Sequence, residues 1–243
     1  MFLKKKELII DCYTSNSFAY NYAKINYGRH YIPEWFKKTP KIANKEMTIK
    51  NCPGIVEYYT KSIVLPMWCE FRIEIQPKGS ENLVSWKGSS EVVIDPHIKE
   101  QFDGFAEEDG YNFKIVSPWF LKCKEDISFT YTQPVWSQRD TMFNLVLQPG
   151  VIQFKSNNQT NLNYFYKQTD EKQVLNIEPL TPMLMLHPMT ERKIKLRHHF
   201  TNTDHFATPN NGLLLDNYPE VMYQKKKRLF DKIDKIEKGT YDT

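Results

Sequence analysis

The side chains in this sequence that could do chemistry fall into three groups. His198, His199 and His205 lie close together, with Asp204 next to the last of them. These are ligand types for zinc or iron, provided three or four converge on one ion. Adjacent His198 and His199 would project to opposite faces of a strand, so only one could join His205. A His-x-Asp pair with a distant third His, the iron-oxygenase pattern, is absent. A solvated loop and no metal are expected. The second group is aromatic: Trp68, Trp86, Trp119 and Trp136, with Tyr58, Tyr59, Tyr131, Tyr164 and Tyr166. Such rings could stack on bases or sugars. They serve equally well to fill a β core or a subunit interface, and that role is expected here. The third is the basic run Lys225-Lys226-Lys227-Arg228. Acidic residues follow it closely, so it reads as a solvated helix face rather than a nucleic-acid contact. The sequence carries no Gly-rich phosphate loop, no Gly-x-Ser-x-Gly elbow and no paired catalytic carboxylates. No cofactor is expected.

The elements that would position these groups are mostly strands. From Ile63 to Ile75 every odd position is apolar, and from Glu70 the even positions are Glu, Arg, Glu and Gln. Period-two alternation predicts one face on a core and one in water. Pro66 cannot donate to a ladder, which predicts an edge or a bulge there. Residues 7–13 read as a first strand. Further strand-like runs follow at 83–86, 91–94, 112–116, 119–123, 127–132, 143–147, 151–155, 162–166, 174–177, 183–186 and 194–197. Turn residues separate them, which predicts an all-β fold of antiparallel strands, a β-clip or jelly roll. Short helices are expected at 32–38, where Pro33 starts and Pro40 stops the turn, and at 52–59. The stretch 14–31 has no clear period. Beyond a polar loop, residues 216–238 read as the one long helix, with a narrow apolar stripe of Met222, Leu229, Ile233 and Ile236. Three regions result: an N-terminal extension (1–60) packing on the core, a β domain (61–200), and a loop plus helix (201–243).

Bulk composition narrows the function class. The chain has 243 residues, 40% hydrophobic and 14% aromatic, with a formal net charge of +4. The charge is mild and dispersed, so nucleic acid is not the expected partner. No apolar run approaches the ~18 residues of a membrane span, and no membrane partner is expected. Cys12, Cys52, Cys69 and Cys123 are far apart, without a Cys-x-x-Cys pair or a secretory signal, which predicts reduced, buried thiols.

Two resemblances add to this reading. Pro149-Gly150-Val151-Ile152-Gln153-Phe154-Lys155 is followed about thirty residues later by Leu180-Thr181-Pro182-Met183-Leu184-Met185-Leu186-His187-Pro188. This resembles the last third of the dUTPase fold, the β-clip. There, a Pro-Gly-Val-Ile-Asp turn opens a hairpin and a later strand closes the sheet. The resemblance places Gln153 where that family has its catalytic aspartate, and an amide cannot take a proton from water at neutral pH. The family's phosphate-binding Pro-Arg-Ser-Ser corresponds to residues 133–139, where Arg139 follows Ser137. Its uracil-stacking tyrosine corresponds to Ser156, and the Gln of its closing strand to Met185. A scaffold without its hydrolytic groups is implied, with Trp136, Arg139, Gln153 and Lys155 as candidate binding residues.

The second resemblance is to a group of bacteriophage proteins, notably from marine T4-like phages. It rests on Ile32-Pro33-Glu34-Trp35, Thr48-Ile49-Lys50-Asn51-Cys52-Pro53-Gly54, Leu65-Pro66-Met67-Trp68, Ser117-Pro118-Trp119, Pro149-Gly150-Val151-Ile152 and Leu180-Thr181-Pro182. It spans roughly residues 30–190 and brings no activity with it. It implies a non-enzymatic virion or assembly protein acting through protein-binding surfaces, in the virion or the host cytoplasm. A dUTPase-like nucleotide-binding protein or nucleotidohydrolase is the alternative. Proteins of the dUTPase type assemble around a threefold axis, so a homotrimer is implied, together with other virion proteins as partners. Met222, Leu229, Ile233 and Ile236 are the expected contact stripe.

Overall fold

The structure, a computed structural model, describes residues 6–80, 84–88, 92–97, 110–137, 145–155 and 157–203. The N-terminal part contains β1 (Leu8–Thr14), α1 (Ser17–Tyr22), β2 (Asn26–Tyr27), α2 (Glu34–Lys38), β3 (Ile42–Ala43), β4 (Glu46–Met47) and α3 (Pro53–Thr60). Among the described residues strands then follow without an intervening α-helix: β5 (Ile63–Pro66), β6 (Phe71–Ile75), β7 (Val84–Gly88), β8 (Val93–Pro96), β9 (Gly110–Val116), β10 (Phe120–Lys122) and β11 (Ser128–Thr132). The last six are β12 (Leu145–Leu147), β13 (Gly150–Gln153), β14 (Leu162–Lys167), β15 (Gln173–Ile177), β16 (Pro182–Pro188) and β17 (Ile194–Phe200). The protein is all-β with a few short helices.

Five strands form the largest sheet, in the order β13-β11-β16-β5-β2. A four-stranded sheet runs β12-β14-β9-β8, and two three-stranded sheets run β10-β1-β17 and β15-β6-β7. Among the described residues every pairing is antiparallel except β1 with β17, which run parallel from Leu8↔Ile194 to Thr14↔Phe200. These two strands begin and end the described β region. No tight turn has to join them, and parallel neighbours require a long connection.

One core cluster draws on these four sheets, with Ile10, Trp68, Phe71, Phe113, Trp119, Phe129 and Tyr164 fully buried. A satellite cluster of Phe36, Ile55, Tyr59, Val64 and Met185 lies under α2 and α3. The satellite corrects one expectation about residues 63–75. The segment is two strands rather than one, and all four residues of β5 are buried. Ile63 and Leu65 face the main core, while Val64 faces the satellite because helices cover what would be the wet side. Alternation survives only in β6, where Phe71, Ile73 and Ile75 are buried between Arg72 and Glu74. The irregularity expected at Pro66 is present: the β16–β5 register shifts between Pro182 and Leu184, opposite Pro66.

Helices α2 and α3 lie where the prolines placed them. Helix α1 falls inside the stretch that showed no period; its start is signalled by Asn16, whose side chain accepts from Ala19 N at 2.7 Å. The Pro149–Gly150 turn, expected to open a hairpin, instead carries the chain from one sheet to another. β12 pairs with β14, and β13 pairs with β11. Gln133, just past β11, bridges the two sheets by donating to Leu145 O (2.6 Å) and accepting from Leu147 N (2.9 Å).

All four cysteines are free. Cys12 and Cys123 are buried and Cys69 is half-buried, but Cys52 is exposed because it caps the outward start of α3. Among the described residues no helix is long and apolar enough to cross a membrane. The 216–238 helix, with Met222, Leu229, Ile233 and Ile236, lies outside the described residues, as do Asp204, His205, Arg139 and the 225–228 basic run.

Candidate functional site

The residues singled out from the sequence do not converge on one point. Gln153 ends β13 opposite Ser128, and its Nε2 donates to Ser128 Oγ at 3.3 Å. Lys155 pairs with Asp126 at 2.8 Å on the surface. Both stand at the Ser128 end of the β11–β13 ladder. Trp136 lies in a 3-10 turn (Val135–Ser137) beyond Thr132, at the ladder's other end.

What surrounds Trp136 is a platform built by the N-terminal segment. The Trp35 indole Nε1 donates to Trp136 O at 2.9 Å, and the two rings are 6.3 Å apart. Both are open to solvent, at 44% and 40% exposure. Beyond them the hairpin β3–β4 turns through Asn44 and Lys45, both at positive φ, as a two-residue hairpin turn requires. It presents Ile42 and Met47 as a cross-strand pair, with Met47 83% exposed. Thr48 closes the base of the hairpin: its hydroxyl donates to Pro40 O and its N donates to Lys41 O at 3.1 Å. Lys50 Nζ donates to Phe36 O (2.7 Å) and Lys37 O (3.1 Å), placing a cation on the carbonyl end of α2. Val135, Ile49 and Val56 are also exposed on these elements.

The platform is anchored from below by a hydrogen-bond network. Tyr59 O–H donates to Ser137 Oγ, and Ser137 Oγ donates to Tyr31 O at 2.9 Å. Burial pushes the Tyr59 hydroxyl up to about 12, so it stays protonated. Tyr58 O–H donates to Gln133 O at 2.5 Å. His187 Nε2 lies 2.9 Å from Tyr58 O; a carbonyl only accepts, so this nitrogen carries the proton. Its Nδ1 then accepts from Thr132 Oγ1 at 3.3 Å. The turn holding Trp136 and the helix holding Tyr58 and Tyr59 are thereby fixed to β11 and β16.

The histidine pair resolves as its strand position implied. His198 faces inward, bonded to Ile25 O at 2.8 Å with its ring edge-on to buried Trp119. His199 faces outward, stacked on Tyr13 at 4.7 Å and bonded to Asp11 Oδ1 at 2.8 Å. Asp11, only 3% exposed, also takes two bonds of 2.6 Å from Arg197. Burial raises its pKa, but the Arg197 and His199 hydrogen bonds outweigh that and hold the carboxyl below the usual range. Among the described residues no group of three His, Cys, Asp or Glu could hold a metal ion.

Burial pushes the pKa of both His187 and His198 down. The unfolded chain, with His near the ordinary ~6.5, therefore takes up protons that the folded chain refuses. Stability should be level above about pH 7 and fall as pH drops below ~6.5. Thermal melts between pH 8 and 5 check this. His187→Gln, which keeps a donor for Tyr58 O, should flatten the slope; an unchanged slope would remove His187 from the account.

Of the aromatics expected in the core, Trp68, Trp119, Tyr59, Tyr164 and Tyr166 are buried, while Trp86 and Trp136 are on the surface. Trp35, Ile42 and Met47 were not singled out as a site from the sequence. Their signal is weak: apolar residues in a short polar-flanked stretch whose helices are too brief to show a period. The class of protein that fold and site define is an all-β scaffold bearing an exposed, rigidly anchored aromatic platform. No protein-family model matches the chain, and no curated protein matches it.

Proposed function

We propose that this is a non-enzymatic bacteriophage virion or assembly protein that works through protein-binding surfaces. The observation that carries the reading is the exposed Trp35–Trp136 pair, followed in the chain by a hairpin that exposes Ile42 and Met47. Large exposed apolar patches mark association sites on soluble proteins. Trp and Met are enriched in interface cores, and Trp dominates binding hot spots. The Trp35 indole is held by Trp136 O, and the turn carrying Trp136 is fixed through Ser137 and Gln133 by Tyr31, Tyr58 and Tyr59, so little conformational freedom is lost when a partner covers them. The phage assignment rests on the sequence resemblance and not on the platform. Gln153, an amide engaged with Ser128, supports the non-enzymatic side of the reading. Self-association, with a trimer implied by the β-clip resemblance, belongs to the same proposal.

Mass spectrometry of purified particles should find the chain in the virion; its absence there would restrict the role to the infected cell. Light scattering should give a homo-oligomer. Trp35→Ala and Trp136→Ala should each weaken the platform's association by about 30-fold, equivalent to ~2 kcal/mol, with the melting temperature nearly unchanged. Pyrophosphate release from a common nucleoside triphosphate with Mg²⁺ would overturn the non-enzymatic reading.

A further inference from the structure

The segment following β13 alternates without a break. Asn157, Gln159, Asn161 and Asn163 are partly exposed, and Asn158, Thr160, Leu162 and Tyr164 between them are buried. Alternate residues of an extended chain share one face. The four carboxamides line an open cleft of about 280 Å³, which Tyr131, Gln148 and the Pro149–Gly150 turn complete. The buried residues hold this ribbon in place. Asn158 Nδ2 donates to Leu121 O at 2.6 Å, and Thr160 Oγ1 donates to Trp119 O at 2.7 Å. Tyr131 Oη donates to Gln159 O at 3.3 Å, which sets the ring in the cleft wall.

Much of the hydrogen-bonding capacity of these amides is unspent. Asn157 Oδ1 accepts from Gln159 N at 3.3 Å, and Asn161 Nδ2 reaches Gln159 Oε1 only at 3.4 Å. Among the described residues nothing engages the side-chain carboxamide of Gln148. Asn163 Oδ1 is shut off from solvent and, among the described residues, has no partner.

Among the described residues no charged side chain lines the cleft. A phosphate, carboxylate or ammonium group would lose its hydration there without a counter-charge. Carboxamides offer donors and acceptors side by side, and a sugar hydroxyl is itself both. Val151, Ile152 and the Tyr131 ring supply apolar wall for the carbon face of a pyranose. The volume lies just below the range of ligand clefts, ~300–1,000 Å³, and suits one ring better than a dinucleotide. We propose that this cleft binds a neutral sugar unit of a glycan, as a site separate from the aromatic platform and independent of the protein-binding reading.

An open site with few contacts should bind in the millimolar range. The test is saturation-transfer NMR on the full chain with glucose, galactose, N-acetylglucosamine and lactose, each at about 10 mM. At least one should receive saturation at its ring protons. Gln159→Ala combined with Asn161→Ala should weaken that binding about 10-fold or more. Gln148→Ala, whose side chain makes no hydrogen bond among the described residues, should weaken it too and covers the case in which the double variant loses its fold. Uridine and glucose 6-phosphate are run in parallel. Preference for either over every neutral sugar overturns the proposal, as does silence from all four sugars or binding that the variants leave intact.

Discussion

Arg197→Ala is expected to lower the stability of the fold by about 2–3 kcal/mol, a fall in melting temperature of roughly 5–10 °C for a chain of this size. Arg197 sits directly opposite Asp11 in the parallel β1–β17 pair, and Asp11 is almost fully buried. Removing the guanidinium strips two charge-assisted bonds from a carboxylate that water cannot reach, leaving His199 as a lesser partner. Breaking a fully buried pair costs ~3–5 kcal/mol; the smaller figure here reflects the half-exposed guanidinium, whose own hydration discounts the pair. Asp11→Asn should be milder, about 1–2 kcal/mol, because the cations it frees turn to solvent. Chemical denaturation of both variants checks the order. If Asp11→Asn proved the more damaging, buried charge would not be what the pair compensates.

The same pair carries a pH signature. Asp11 titrates lower in the folded chain than in the unfolded one. Its contribution is therefore complete above the ordinary value near ~3.9 and is lost as pH falls through the lower folded value. This loss lies well below the window in which His187 and His198 act, so the two can be separated in one acid titration.

Gly28→Ala is expected to cost about 3 kcal/mol or more. A Cβ at this position would lie 2.1 Å from Ser62 Oγ and 2.4 Å from Tyr59 O. The serine hydroxyl can rotate away. The Tyr59 carbonyl cannot, since it belongs to the last turn of α3 and accepts from Ser62 Oγ at 3.1 Å. Gly28 N also donates to Ser62 O at 2.9 Å, so the 3-10 turn carrying Tyr31 is pinned against α3 at this point. Combining Gly28→Ala with Ser62→Gly should recover little of the stability, because the carbonyl clash remains. Full recovery would show that the side chain and not the backbone made the contact. Through Tyr31 and Tyr59 the displacement should also loosen Trp136, so near-ultraviolet circular dichroism should change along with stability.

Much of the β architecture was legible in the sequence because its signals are local. Phe71, Ile73 and Ile75 alternate with polar residues, Pro33 and Pro53 mark helix starts, and the turn residues punctuate the later strands. The period-two amides at 157, 159, 161 and 163 were equally present in the sequence, though the first three read there only as a connector and the last as part of a strand. Asn16, a local N-cap, could likewise have announced α1. What the sequence could not settle depends on partners distant along the chain. Val64 and Met185 look like the wet positions of alternating strands until α2 and α3 are laid over them. The Pro149–Gly150 turn resembles a hairpin opening until β12 and β13 are seen to join different sheets. Asp11 is one acid among many until a parallel strand more than 180 residues away brings Arg197 and His199 against it. Trp35 and Trp136, 101 residues apart, become one surface only because Tyr59, Ser137 and Tyr31 bond across three elements. Residue type and spacing decide which face of a strand or helix a side chain takes. Which other face it meets is set by burial and hydrogen bonding summed over the whole chain, and no local window of sequence contains that sum.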